Sequence, residues 1–230
     1  MAENKTFNHI PLDDALQESM KVDMAVKQLD GQRFYLSPTG KYLPSVTTVT
    51  GWEKSNFFKE WRKKNPKESK RVLTRGNDFH ELIEMYLKNE DTSTYTLKNV
   101  MSQYLFEQIK PILNNIDNIQ AQEMALWGEI VPLAGRVDCI AEYNGKMSII
   151  DFKGSTKKKH EKDIKNYFMQ ATAYALMWEE RTGQKIENFA ILVSCESGEV
   201  QVFEGNPLDY TKDLHKCIVN YYSEVTQSSI

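Results

Sequence analysis

No run of about 18 apolar residues occurs in the chain, so no segment has the composition of a membrane-spanning helix. Cysteine is scarce. Cys139, Cys195 and Cys217 are odd in number, scattered and without a CxxC pair, which excludes a disulfide framework and a cysteine-built zinc or iron–sulfur knot. A reducing, cytoplasmic-type compartment is therefore expected. The opening MAENKTFNHIPLDDALQ also lacks the basic-then-apolar pattern of a secretory leader. Internal repeats, long low-complexity tracts and a GxxxxGKS phosphate loop are all missing, so neither a repeat array nor a fused Walker-type motor is indicated. An excess of positive charge is missing too. The 29 basic and 32 acidic residues give a net charge of −3, which argues against a general nucleic-acid coat.

What is present starts with 40% hydrophobic and 27% charged residues, enough to bury a core. The length of 230 residues suits one compact domain: an N-terminal helix-and-strand extension at 1–75 packed on a core at 76–230. The positive charge is concentrated. Eight basic residues run from Lys59 to Arg75 against only Glu60 and Glu68. Six lysines run from Lys153 to Lys165 against Glu161 and Asp163. Each stretch, with Lys63 and Lys64 in the first and Lys157 and Lys158 in the second, reads as a phosphate-binding surface or as a solvated face. Trp52, Phe57, Phe58 and Trp61 beside the first stretch read as base-stacking groups or as core.

The periodicity predicts weak helix across DDALQESMKVDMAVKQL, a short strand at QRFYLS with a turn at PTGK, and a helix through NFFKEWRKK. Further helices are expected at about 76–89 and 97–116. The period then changes to two. AQEMALWGEI, LAGRVDCIAEY and KMSIIDFK read as three consecutive strands. A helix at about 163–181 follows, ending at Gly183. NFAILVSC and EVQVFE are two more strands, and a last helix covers about 207–224. The order α-β-β-β-α-β is a mixed α/β arrangement.

Asn144-Gly145 is the strongest short hairpin signal, since a type I′ turn needs positive φ at both positions. A two-residue loop pairs Tyr143 with Lys146 and brings Asp138 opposite Asp151, with Cα atoms about 4.5 Å apart, and Arg136 opposite Lys153. Directly opposed carboxylates repel, so a bound proton or a cation between them is expected. Oxygen-rich sites of this kind suit Mg²⁺ or Mn²⁺. Strand alternation puts Lys153 on the same face about 6.5–7 Å from Asp151, where it could orient water and stabilise an anionic phosphate. The bland alternative is a pair of surface Asp–Lys bridges. Arg75 and Gly76, ahead of the helix that carries His80, read as a phosphate-binding turn or a simple turn.

GRVD, IIDFK and QATAYA together resemble the PD-(D/E)xK nuclease superfamily, most closely its RecB-like branch and the mitochondrial genome maintenance exonuclease group with its many bacteriophage relatives. The resemblance runs from about Leu43 to Val193 and includes LPSVTTV and RGNDFHELIE. It implies a restriction-endonuclease-like αβββαβ core with a mixed central sheet flanked by helices. It implies Asp138 and Asp151 as metal ligands, with His80 and the Phe152 carbonyl completing the shell, and Lys153 as the catalytic lysine. Gln170 and Tyr174 then match the helical QxxxY element along the site, Gln170 reaching a water or phosphate and Tyr174 serving DNA contact or packing. Glu123, ahead of the first core strand, is a further acid. No iron–sulfur cluster is implied, because the cysteines do not fit one.

The function so implied is a Mg²⁺- or Mn²⁺-dependent DNA exonuclease working on single-stranded or free ends in replication, recombination or repair. DNA, and replication or recombination proteins, are the expected partners, with no membrane. A phage source would place the chain in the cytoplasm of a bacterial host, and a mitochondrial location is not expected. A structure-specific endonuclease on the same fold and a non-catalytic DNA-binding module on a decayed one are the alternatives.

Overall fold

The computed structural model describes residues 5–22 and 24–227. The chain begins with α1 (Asp14–Met20), then β1 (Val26–Leu29), β2 (Gln32–Leu36) and β3 (Tyr42–Pro44), which form a small antiparallel sheet in the order β1-β2-β3. Helices α2 (Val46–Thr50), α3 (Ser55–Lys64), α4 (Pro66–Leu87) and α5 (Val100–Leu113) follow. Next come β4 (Ile116–Trp127), β5 (Ala134–Tyr143), β6 (Lys146–Ser155), α6 (Lys165–Thr182), β7 (Asn188–Cys195), β8 (Val200–Gly205) and α7 (Thr211–Gln227).

The central sheet has the order β4-β5-β6-β7-β8. Only β6 and β7 are parallel, because α6 supplies the crossover that a parallel pair requires. Asn144 and Gly145 have φ of 49° and 75°, the geometry of a type I′ turn, and this fixes the register from Tyr143↔Lys146 onward. Gly183 closes α6 in the left-handed region at φ 71°, its N–H reaching Glu179 O at 2.8 Å. Both sheet faces are covered. Ile149, Ile191, Phe168 and Trp178 belong to one buried cluster with α6 and α7, whereas Ile150, Leu192, Phe79 and Phe106 belong to a second with α4 and α5. This mixed five-stranded α/β sheet agrees with the expected αβββαβ core, read as α5-β4-β5-β6-α6-β7.

Several expected boundaries are corrected. The segment read as weak helix holds α1 but ends in the strand β1, whose four residues are all exposed and so show no periodicity (Asp23 lies outside the described residues). The helix expected from 76 starts at Pro66, a residue suited to the first helical position. Its first buried residue is Arg75, so the early turns display no apolar stripe to read. The proposed boundary between 75 and 76 therefore falls inside a continuous helix. The helix expected to run to 116 ends at Leu113, and Ile116 already opens β4.

Candidate active site

The hairpin ladder runs with the expected register as far as Cys139↔Ile150 and stops there, one pair before the two aspartates. In a continued ladder the Phe152 N–H would turn to the Val137 carbonyl. Instead it donates to Asp138 Oδ2 at 2.9 Å. The ladder thus ends before the expected pairs Asp138–Asp151 and Arg136–Lys153, while on the other edge of β5 Arg136 pairs with Ala125 of β4. Like-charge repulsion gives the physical reason: side-chain capture of one N–H satisfies that donor where the ladder ends.

Asp151 is buried at 2% exposure. Its Oδ1 accepts from Lys153 Nζ at 2.7 Å and from Gln170 Nε2 at 2.8 Å. The ammonium also stands 2.6 Å from Oδ2, which is sealed from solvent and held by this ion pair. Burial pushes the Asp151 carboxyl up, Lys153 opposes the rise, and Asp138 adds to it. Burial works against the Lys153 ammonium, but Asp151 and Asp138 outweigh it and its pKa is raised. The Tyr167 ring, 5.1 Å from Nζ, forms part of its wall. Gln170, expected to reach a water or phosphate, is buried at 5%.

Glu123 is placed more centrally than its sequence position suggested. It lies inside β4, not ahead of it, between the pairs Gln122↔Cys139 and Met124↔Val137, hence across from Asp138. Its φ of 46° lies in the left-handed region, which costs a residue with a Cβ about 1–2 kcal/mol. Strain of that kind concentrates at functional sites. Burial, then Asp138 and Glu84, push the Glu123 carboxyl up to about 8. His80, on α4, lies with Nδ1 at 3.6 Å from Asp138 Oδ2, too long for a hydrogen bond. One ligand atom each from His80, Glu123 and Asp138 falls within 4.8 Å of the others. These residues open into a cavity of about 590 Å³ that also exposes Lys153 and Gln170.

A divalent cation fits this donor set on two grounds. An imidazole and two carboxylates converge, and burial beside Asp138 and Glu84 raises the Glu123 carboxyl, a penalty that a cation would relieve. Sequence reasoning placed Glu123 on the margin because the hairpin register fixes β5 against β6 and says nothing of β4. The signal that would have found it is the β4–β5 register, hidden by an irregularity between Asp117 and Ala121. Phe152 enters the site through its N–H to Asp138; nothing in the geometry singles out its carbonyl.

The residues expected to touch DNA fall into two groups. Arg75 is 2% exposed and does not stand at a helix start. It is ion-paired to Glu196 and donates to Gly154 O at 3.2 Å and Thr156 Oγ1 at 3.3 Å, so it anchors the end of β6 and presents no surface to a phosphate. Tyr174 is 3% exposed and packs on Gly135, where a Cβ would come within 2.7 Å of its hydroxyl. It lines the cavity wall. Lys63, Lys64, Lys157 and Lys158 are exposed, with Lys63 paired to Glu60 at 2.9 Å and Lys158 to Glu199 at 3.3 Å. Phe57 and Phe58, at 67% and 46% exposure, project from α3 and are not core, whereas Trp52 stacks edge-on against Tyr221 at 5.0 Å.

The chain belongs to the PD-(D/E)XK nuclease superfamily, whose family model matches residues 55–220. Among curated proteins it is similar to mitochondrial genome maintenance exonuclease 1 of Mus musculus, 32% identical over 130 residues, covering 51% of this chain and 38% of that protein. The Homo sapiens protein of the same name is 30% identical over 139 residues, covering 59% of this chain and 38% of its own length. The chain thus spans about two-fifths of the length of the curated relatives it matches. A solved structure from Eubacterium rectale, described as a candidate exonuclease, aligns with a TM-score of 0.46 and 17% identity over 66% of this chain and 65% of that one. The names of the curated relatives lend no support to the bacterial cytoplasmic location expected above. Among the described residues no helix is long and apolar enough to cross a membrane.

Proposed function

We propose that the chain is a metal-dependent DNA exonuclease that hydrolyses phosphodiester bonds at single-stranded or free ends, in DNA replication, recombination or repair. One observation carries this reading: Glu123, Asp138 and Asp151 come from three neighbouring strands, and Lys153 is ion-paired to the buried Asp151. His80, Glu123, Asp138 and Asp151 would hold Mg²⁺ or Mn²⁺, which when bound supplies Lewis-acid charge at a phosphoryl oxygen and lowers the pKa of water. Lys153 presents its ammonium next to that charge and stabilises the anionic phosphoryl oxygens as water attacks in line and the ester P–O bond breaks. Gln170 fixes Asp151 through Oδ1. Tyr174 and Gly135 wall the cavity against bulk water on one side. The basic stretch of α3 and early α4, with Phe57 and Phe58 exposed beside it, suits a single strand's phosphates and bases.

The curated relatives are named exonucleases, which favours end-dependent over internal cleavage. The test uses end-labelled single-stranded, duplex and circular DNA with Mg²⁺ or Mn²⁺, comparing wild type with Lys153→Ala. Loss of label from linear strands, with circles intact and the variant inactive, is expected. Cleavage of circles would instead establish the endonuclease, and metal-independent binding without cleavage of any substrate would establish the DNA-binding module.

A further inference from the structure

The cavity that exposes the acids has a second end, built by the N-terminal sheet. The isolated bridge Ser45↔Ala134 joins the end of β3 to the start of β5, so β2 lies beside the strand that carries Asp138. Arg33 on β2 is held by its backbone at both sides: its carbonyl accepts from Ser45 N–H at 2.8 Å, and its N–H donates to Thr48 Oγ1 at 3.4 Å. Its side chain and that of Arg136 line the same cavity as His80, Glu123 and Asp138. Arg136 lies two residues from Asp138 on β5, about 7 Å along the same face by strand rise. It is close enough to Glu123 to pull that carboxyl down against its other surroundings.

The pairing pattern separates these two guanidiniums from the structural arginines. Arg71, Arg75 and Arg181 are ion-paired. Among the described residues Arg33 and Arg136 have no ion pair, although Glu81, Glu84, Glu123 and Asp138 line their cavity. Lys153, the remaining cation there, is committed to Asp151. A polyanion entering past four carboxylates needs uncommitted positive charge, and the guanidinium fork matches phosphate oxygens two at a time.

We propose that Arg33 and Arg136 form a phosphate subsite, one nucleotide step from the acids, that takes a second phosphate of the bound strand. That phosphate is either an internal backbone group or the strand's terminal phosphate. The proposal rests on the nuclease reading for its biological sense but is tested without catalysis. Wild type, Arg33→Gln, Arg136→Gln, Arg136→Lys and the Arg33→Gln/Arg136→Gln double variant are titrated with fluorescent single strands in chelator, over a range of salt. The strands carry a 5′ phosphate, a 3′ phosphate, or hydroxyls at both ends; a circle is the fourth probe.

Both side chains are exposed, so thermal unfolding should stay at the wild-type value. The double variant should bind about tenfold or more weakly, with a salt slope shallower by about 1 to 2, and Arg136→Lys should recover part of the loss. Loss confined to one phosphorylated end identifies the terminal group. Equal loss on every probe, the circle included, identifies an internal phosphate. A double variant with wild-type affinity and salt slope on all four probes overturns the subsite. In steady-state assays with Mn²⁺ the same variants should raise KM far more than they lower kcat. If wild type cleaves nothing, the nuclease reading fails while the metal-free binding result still decides the subsite.

Discussion

The acidic cleft and the basic helices α3 and early α4 carry opposite charge and are built by opposite means. The cleft sits on sheet strands and on α6 against buried neighbours: Asp151 is 2% exposed, Gln170 of α6 5%, and Glu123 is held in a left-handed backbone conformation. α3 has no buried residue at all, and Phe57 stands 67% exposed. The comparison separates two kinds of function. Chemistry needs groups fixed against their own repulsion, so its residues are costly to fold and strained. Capture of a polyanion needs charge density and reach, so its residues add little to stability and tolerate motion.

The largest break in that contrast comes from the cleft. Asp138→Asn or Glu123→Gln should lower the single-turnover cleavage rate by about a thousandfold, while thermal unfolding of the metal-free protein stays level or rises, since each change removes like-charge repulsion. A fall in stability with unchanged rate would assign these acids a structural role. Next is the joint between the two regions, where Arg75 and Arg71 of α4 meet Glu196 beyond β7. Glu196→Gln leaves the Arg75 guanidinium buried without its counter-charge and should cost about 3 kcal/mol in urea unfolding.

The same joint gives a pH test. Burial raises the Glu196 carboxyl, but hydrogen bonds from Arg71 and Arg75 outweigh it and hold the pKa below its ordinary 4.5. A depressed carboxylate contributes stability that is present above the unfolded value and lost as pH falls through the folded one. Wild type should therefore lose stability more steeply below pH 4.5 than Glu196→Gln does, read from unfolding midpoints at each pH. The smallest effects on folding belong to α3. Lys63→Glu/Lys64→Glu/Lys67→Glu should change stability by only about 0.5 kcal/mol while weakening single-strand binding and flattening its salt dependence by about 2 in slope. Unchanged affinity and slope would remove α3 and α4 from the DNA path.

The legibility of the two regions in sequence differs for physical reasons. Asn144-Gly145 states its own turn type, and period-two alternation then fixes every later pair, so Asp138, Asp151 and Lys153 could be set on one face by counting. That count could not show where the ladder stops, because it ends through a side-chain hydrogen bond from Phe152 N–H to Asp138, a tertiary event. Glu123 was harder still: its strand joins through an irregular loop and a bulge, and its φ of 46° belongs to a glycine-like position. Arg75 looked like a phosphate ligand in a run of bases, because the sequence does not reveal that Glu196, 121 positions away, takes its charge. Composition left Phe57 and Phe58 open as base-stacking groups or as core, and α3 carries no buried residue, which removes the second reading.

The most direct test of the central claim follows one end-labelled linear single strand through a single turnover, with Mg²⁺, Mn²⁺ or chelator, for wild type and Asp151→Asn. The carboxamide keeps the shape of the buried side chain and removes the charge that Lys153 and the cation share. Wild type should shorten the strand progressively with either metal and not in chelator, and Asp151→Asn should not shorten it under any condition. A strand left whole by wild type in both metals, or shortened by Asp151→Asn at the wild-type rate, would contradict that claim.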